Sequence, residues 1–215
     1  KRPGMYAMLT LAGVIKFGKI PQLGTYHIGF VIGPRMNAAG RMAHANAAYA
    51  TLMSEDENEA MKLAEELETT NRERRKITED IYKAAITQIG PVSEDPEVLI
   101  ARDKDWPMGV VGLIAGRIME RYHRPVFILS EFDGKIAGSG RSIEGYDCTI
   151  ALDKAKDILL KYGGHPRACG FTIADNDHYP ELVQRFNAYA RESLTKEDLF
   201  PKLEMDAELK TSEIT

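Results

Sequence analysis

Apolar residues recur with a helical period in PGMYAMLTLAGVI, residues 3–15, and Pro3 near the start with Gly13 and Gly18 near the end bound a first predicted helix. The apolar stretch HIGFVI, 27–32, leads into GPRMNAAGRMAHANAAYATLM. The alanines of that segment suit close helix packing, but Gly33, Pro34 and Gly40 break it. The pattern predicts a glycine-broken loop feeding a helix from about Ala43 to Met53. Ser54 followed by Glu57 forms a capping box, and neither proline nor glycine recurs before Gly90, so residues 55–89 are predicted as one helix roughly 50 Å long. Its stripe of Ala60, Leu63, Ala64, Leu67, Ile77, Ile81 and Ala84 is interrupted at the centre by Thr70, Asn71 and Arg74. That is the pattern of a connector packed at both ends and exposed in the middle. The run NRERRK, 71–76, has the composition of a phosphate-binding patch, but the acidic stretch before it and its helical spacing favour a solvated face, and it is given no functional weight.

Beyond the polar hinge PVSEDPE, 91–97, strands and helices alternate. VLIA (98–101), PVFILS (125–130), GKIAGSGRS (134–142, after an Asp133-Gly134 turn) and GFTIA (170–174) read as four strands. GVVGLIAGRIMERYH (109–123), residues 149–162 and a segment from about Tyr179 to Leu194 read as helices. This alternation predicts an α/β domain whose sheet has helices packed on it.

Composition narrows the class. With 215 residues, 44% hydrophobic and 28% charged, the chain can bury one large or two small cores. The longest apolar run, MGVVGLIAG at 108–116, is too short for the roughly 20 residues that cross a bilayer. KRPGMYAML lacks the features of a secretory signal, so a cytoplasmic location is the expectation. Cys148 and Cys169 show neither a CxxC nor a zinc-type pattern and are expected as small buried residues. A formal net charge of −4 argues against wholesale coating of a polyanion and leaves room for a local basic pocket. The start at Lys1 and the ending DAELKTSEIT suggest a piece of a longer protein, DAEL opening a further element.

Candidate chemistry gathers in glycine-containing stretches. In DWPMGVVG, Gly109 and Gly112 open a helix whose free N–H groups could receive an anion. In SGRS, Ser139 and Ser142 offer hydroxyls and Arg141 a planar fork of donors, a set matched to phosphate oxygens. In KYGGHPRACGF, either Gly163 ends a helix and His165 merely follows, or Gly163 and Gly164 let the backbone approach a bound group at which His165 is aimed. Arg35, Asn37 and Arg41 stand among small residues, where arginines either meet carboxylates inside the protein or face a ligand. The sequence contains no DHH, no HxH and no paired carboxylates at a spacing suited to a catalytic metal.

In their order, GPRMNAAGRM, the long charged helix, W-x-x-GVVG, RYHRPV, SGRS and GGHPRACGFT resemble the RecJ family of single-strand-specific 5′ to 3′ DNA exonucleases, in the DHH phosphoesterase superfamily. The resemblance runs over nearly the whole chain. It implies the C-terminal end of a DHH domain with its linker motif at 1–53, a connector helix at 54–90 and an α/β DHHA1-type domain with a mixed sheet at 97–196. It also implies the truncated start of an OB-fold at 201–215. The metal ligands of the family precede the matched region. The resemblance therefore implies Mn²⁺- or Mg²⁺-dependent phosphodiester hydrolysis by the complete protein and an inactive substrate-gripping stretch here, with no metal ligands of its own.

By the same resemblance His165 has a supporting catalytic role at the scissile phosphate, and Ser139, Arg141 and Ser142 hold a 5′-terminal phosphate. Gly109, Gly163 and Gly164 line the substrate, and Arg35, Asn37 and Arg41 border the nucleic-acid channel. One departure is Trp106-Pro107-Met108-Gly109 where the family shows Trp-His-x-Gly-Val, since Pro107 cannot make a histidine's hydrogen bond. Implied partners are single-stranded DNA with a 5′-phosphate, in DNA repair and recombination, and a single-strand-binding protein or helicase; a monomer and no membrane are expected. Two other readings stand beside this one: a phosphodiesterase of short oligonucleotides or cyclic dinucleotides, and a non-catalytic nucleic-acid-binding module.

Overall fold

The computed structural model describes residues 2–42, 44–132, 134–173, 175–203, 205–208 and 211. α1 (Pro3–Leu11), α2 (Gly33–Met42) and α3 (Asn46–Met53) pack against the first half of α4 (Glu57–Ile89). Met8, Leu9, Ile32, Ala39, Ala64 and Leu67 form the core between them. GPRMNAAGRM is thus a helix, not the glycine-broken loop predicted. HIGFVI forms a π-helical turn, and the N–H of Gly33 reaches back to the carbonyl of Ile28. Pro34, which has no N–H, falls where this wider turn gives way to α2. Gly40 costs about 1 kcal/mol of helix propensity, which burial of Ala38 and Ala39 offsets. The following helix begins at Asn46.

α4 is capped two residues later than predicted: Asp56 accepts from the Glu59 N–H at 2.8 Å, and the Ser54 hydroxyl donates to the Glu59 carboxylate at 2.6 Å. Its centre is not uniformly exposed. Leu67, Asn71, Arg74, Thr78, Ile81 and Ala85 follow one another at steps of three and four, so the stripe facing inward continues through polar residues. Arg72, Glu73, Arg75 and Lys76 are exposed, whereas Asn71 is only 1% exposed.

The second half of α4 lies against a five-stranded sheet of order β1-β2-β3-β5-β4, where β1 is Leu99–Asp103, β2 Val126–Phe132, β3 Lys135–Arg141, β4 Leu159–His165 and β5 Ala168–Ile173. β1 and β2 are parallel and all other pairs antiparallel, giving the mixed sheet of an α/β domain. α5 (Met108–Tyr122) covers one face at β1–β3 with Val110, Val111, Ile114 and Ile118, and Trp106 is buried beside them. α6 (Cys148–Asp153) and α7 (Tyr179–Ser193) cover the other, where Phe127, Phe171 and Phe186 pack with ring centroids 4.4–6.1 Å apart. The four predicted strands are present, and both cysteines are buried.

The helix predicted over 149–162 is the main departure in this part. α6 ends at Asp153, and residues from Leu159 form β4, a fifth strand at the sheet edge. Hydrogen bonding to β5 overrides the helical spacing of ALDKAKDILL. Gly163 therefore ends no helix. Gly164 has φ +151°, and a Cβ there would lie 2.4 Å from the carbonyl oxygen of Ala168 on β5, so only glycine fits. In RYHRPV, the buried Arg124 guanidinium donates to the carbonyls of Tyr122, His123, Leu199 and Ser93, tying the end of α5 to the later chain. Of the predicted OB-fold start at 201–215, residues 204, 209, 210 and 212–215 lie outside the described residues.

Candidate nucleic-acid interface

The site is built around the N-terminal half of α5. Gly109, Gly112 and Gly116 share one face of that helix at steps of three and four. A Cβ at Gly116 would meet the Arg141 Cγ at 3.9 Å, and one at Gly112 would meet Arg141 Nη2 at 3.1 Å and Ser139 Oγ at 3.0 Å. The stem of Arg141 thus passes Gly116, and its guanidinium reaches one turn nearer the N-terminus of the helix, into space that a side chain at 112 would crowd. One further turn along, a Cβ at Gly109 would fall 2.0 Å from the carbonyl oxygen of Arg41. Here α2 abuts α5, and Arg41 donates through Nη1 to the Gly109 carbonyl at 3.0 Å.

Arg141 donates to the Gly140 carbonyl at 2.7 Å and to Ser139 Oγ at 3.2 Å, while Ser139 donates to the Cys169 carbonyl at 3.2 Å. Among the described residues neither Arg141 nor Arg41 pairs with a carboxylate. Two such guanidinium groups beside the positive end of a fifteen-residue helix make an electropositive corner whose donors suit an anion.

Strand register decides which other groups share this corner. Arg141 pairs with Ala168, which pairs with His165, so all three project from one face of the sheet; Ser139, Gly170 and Gly163 form the next row on the same face. Two strand spacings separate Arg141 from His165, about 10 Å. Over β5 and β4 this face is open. A cleft of about 380 Å³ lies there between Met108 at the start of α5 and Lys161 of β4, floored by Ala137, Gly170 and Thr172. His165, Gly163 and Gly164 are exposed farther along β4.

The structure brings together Arg41, Gly109, Ser139, Arg141, Gly163 and His165 on one side of the molecule. Asn37 is exposed one turn before Arg41 on α2. Two of the predicted residues are turned elsewhere. Arg35 donates to the Glu68 carboxylate at 2.6 Å and to the Val31 carbonyl at 2.6 Å, with 11% of its side chain exposed, so its charge is met inside the protein. Ser142 follows Arg141 by one residue and so points to the opposite face. It is 2% exposed and donates to the Tyr146 carbonyl at 2.8 Å. Gly116 and Lys161 belong to the site although sequence reasoning names neither; the GxxGxxxG spacing of α5 is the signal for Gly116, and no sequence signal marks Lys161 on β4. Pro107 is the N-cap residue of α5 and accepts from the Val110 N–H at 3.1 Å, a role that needs no side-chain donor.

Among the described residues no group of three or more His, Cys, Asp or Glu side chains is placed to hold a metal ion. The donor set of the corner at the start of α5, arginines and backbone N–H groups, fits anions and does not fit Mg²⁺ or Mn²⁺, which take oxygen ligands. No helix among the described residues is long and apolar enough to cross a membrane.

Known proteins resemble this chain in sequence and fold. Residues 95–192 match the DHHA1 domain. The single-stranded-DNA-specific exonuclease RecJ of Bacillus subtilis is 36% identical over 216 residues, covering 100% of this chain and 27% of that protein. RecJ of Escherichia coli is 34% identical over 223 residues, covering 100% of this chain and 38% of that protein. Among solved structures, RecJ from Thermus thermophilus in complex with Mg²⁺ superposes with a TM-score of 0.76 at 33% identity, covering 89% of this chain and 29% of that one. The same protein in complex with Mn²⁺ gives a TM-score of 0.76. The chain therefore spans well under half the length of the relatives it matches.

Proposed function

We propose that the chain, which matches the DHHA1 domain and resembles RecJ over its whole length, is the substrate-holding part of a 5′ to 3′ exonuclease acting on single-stranded DNA, and that the corner at Arg141 receives the 5′-terminal phosphate. One observation carries this reading: the Arg141 guanidinium, without a carboxylate partner among the described residues, lies against Gly112 near the N-terminus of α5. A terminal phosphate there would take charge-assisted bonds from Arg141 and backbone N–H groups of the helix start, with Arg41 adding long-range attraction.

His165, about 10 Å away on the same face, would meet a neighbouring phosphate and assist at the bond to be cleaved. The open floor at Gly163 and Gly170 lets a nucleotide backbone lie close to the sheet. Metal-dependent hydrolysis belongs to the complete enzyme. This stretch binds and orients, since its donors are matched to the substrate's charge and not to a cation. We place its working units at residues 1–53, the α4 connector and the domain beginning near residue 97.

The test is a titration of 5′-phosphorylated and unphosphorylated single strands against wild type and Arg141→Ala. The expected result is a preference of about tenfold for the phosphorylated strand in wild type, the value of one charge-assisted contact, and none in the variant. Equal affinity in all four combinations refutes the assignment.

A further inference from the structure

The middle of α4 breaks two rules of protein interiors at one place. Asn71 is 1% exposed, and its Nδ2 has no hydrogen-bond partner. One turn later, Arg74 donates through Nη2 to Asn71 Oδ1 at 3.0 Å, while its Nε is buried and also without a partner. The charges acting on Arg74 make the place stranger. Its pKa is held below the ordinary arginine value by burial first, then by Arg75 and Arg41, all of which oppose its charge.

Two carboxylates of the same helix, one on either side of Arg74 in sequence, are already engaged. Glu68 accepts from Arg35 and Arg72, and Glu79 from Arg117 at 2.6 Å, with Lys83 at 4.0 Å. A folded chain tolerates a half-buried cation facing other cations where a ligand supplies the missing charge. Arg41 links this place to the cleft, since it abuts Gly109 at the start of α5.

We propose that Arg74, oriented by Asn71 and flanked by Arg41, is a second phosphate subsite that holds an internucleotide phosphate of the strand whose 5′ end lies at Arg141. The proposal rests on the reading of the cleft given above and extends it to the junction of α2, α4 and α5. Arg74 contacts the phosphate, and Asn71 is a positioning residue. A phosphodiester suits the donor set because it brings a full negative charge and several acceptor oxygens to groups that can only donate.

The experiment uses the chain as it stands, with a 5′-phosphorylated dinucleotide and decanucleotide of thymidine. Arg74→Gln should weaken the decanucleotide about tenfold and lessen the slope of log K against log salt by about 0.7, the contribution of one phosphate contact on a single strand. The preference for a 5′-phosphate should stay at its wild-type value. Arg74→Lys should restore the salt slope but only part of the affinity, because it returns charge without the fork.

Asn71→Asp supplies the missing counter-charge. The free protein should melt at a higher temperature while strand binding weakens, a pair of changes that a purely structural amide would not give. Wild-type affinity and salt slope in folded Arg74→Gln overturn the inference. If that variant does not fold, unchanged strand binding in Asn71→Asp overturns it instead, and so does a lowered melting temperature in that variant. Failure of the cleft assignment looks different: the 5′-phosphate preference is then absent from wild type, whatever Arg74 does.

Discussion

The two faces of β3 serve neighbours of opposite character. Towards α6 and α7 the strand presents Ile136, Gly138 and Gly140, and then Ser142 beyond its end, a surface cut back so that Phe127 and Phe171 can fill the core. Towards α5 it presents Ala137, Ser139 and Arg141, where glycines of the helix are cut back so that an arginine can lie along it. Small residues thus perform the same steric service on both sides. On one side they admit aromatic rings, and on the other a charge without a carboxylate partner among the described residues. Presence of glycine therefore does not by itself mark a ligand site. What its missing side chain makes room for decides the matter.

Four substitutions test this contrast. The largest effect should come from Gly140→Val, because a Cβ there already lies 2.6 Å from a Phe127 ring carbon and 2.7 Å from Cys169 Sγ. Urea denaturation should show a loss of about 3 kcal/mol. Arg141→Ala, one residue on, should leave stability nearly unchanged and remove the tenfold 5′-phosphate preference, about 1.4 kcal/mol. Ser142→Ala should cost about 1 kcal/mol of stability by leaving the Tyr146 carbonyl unpaired, with strand binding intact, and Ser139→Ala should show the reverse ranking.

The smallest effect lies at the far end of α5. The pKa of His123 is held below the ordinary histidine value by burial first, then by Arg124, Arg167 and Lys202. The unfolded chain therefore binds this proton more readily, and stability should decline as the pH falls from about 6.5 through the lower folded value. His123→Asn keeps a residue tolerant of the left-handed φ of +50° and should flatten that decline without touching strand binding.

Much of the fold was legible because burial wrote it into the sequence. β2 is a continuous apolar run, and α5 and α7 carry clear helical periods with their stops. β4 was not legible because it is an exposed edge strand, held by backbone bonds to β5 and not by an apolar face. α2 was hidden because Pro34 at a π-to-α junction looks the same in sequence as Pro34 in a loop. In the site, donor chemistry marks Arg141, Ser139 and His165 as candidates, and strand register puts them on one face. Ser142 shares the donor chemistry of Ser139, but strand alternation already separates residues 141 and 142. No sequence rule pairs Arg35 with Glu68, thirty-three residues away, and the charged composition of NRERRK conceals that Asn71 and Arg74 share the inward stripe of α4.

The most direct measurement is a crystal structure of the chain with a 5′-phosphorylated trinucleotide. The account predicts the terminal phosphate against the Arg141 guanidinium beside Gly112, with the strand running across Gly170 towards His165. A terminal phosphate bound anywhere else, with Arg141 left in contact only with the Gly140 carbonyl and Ser139, would contradict it.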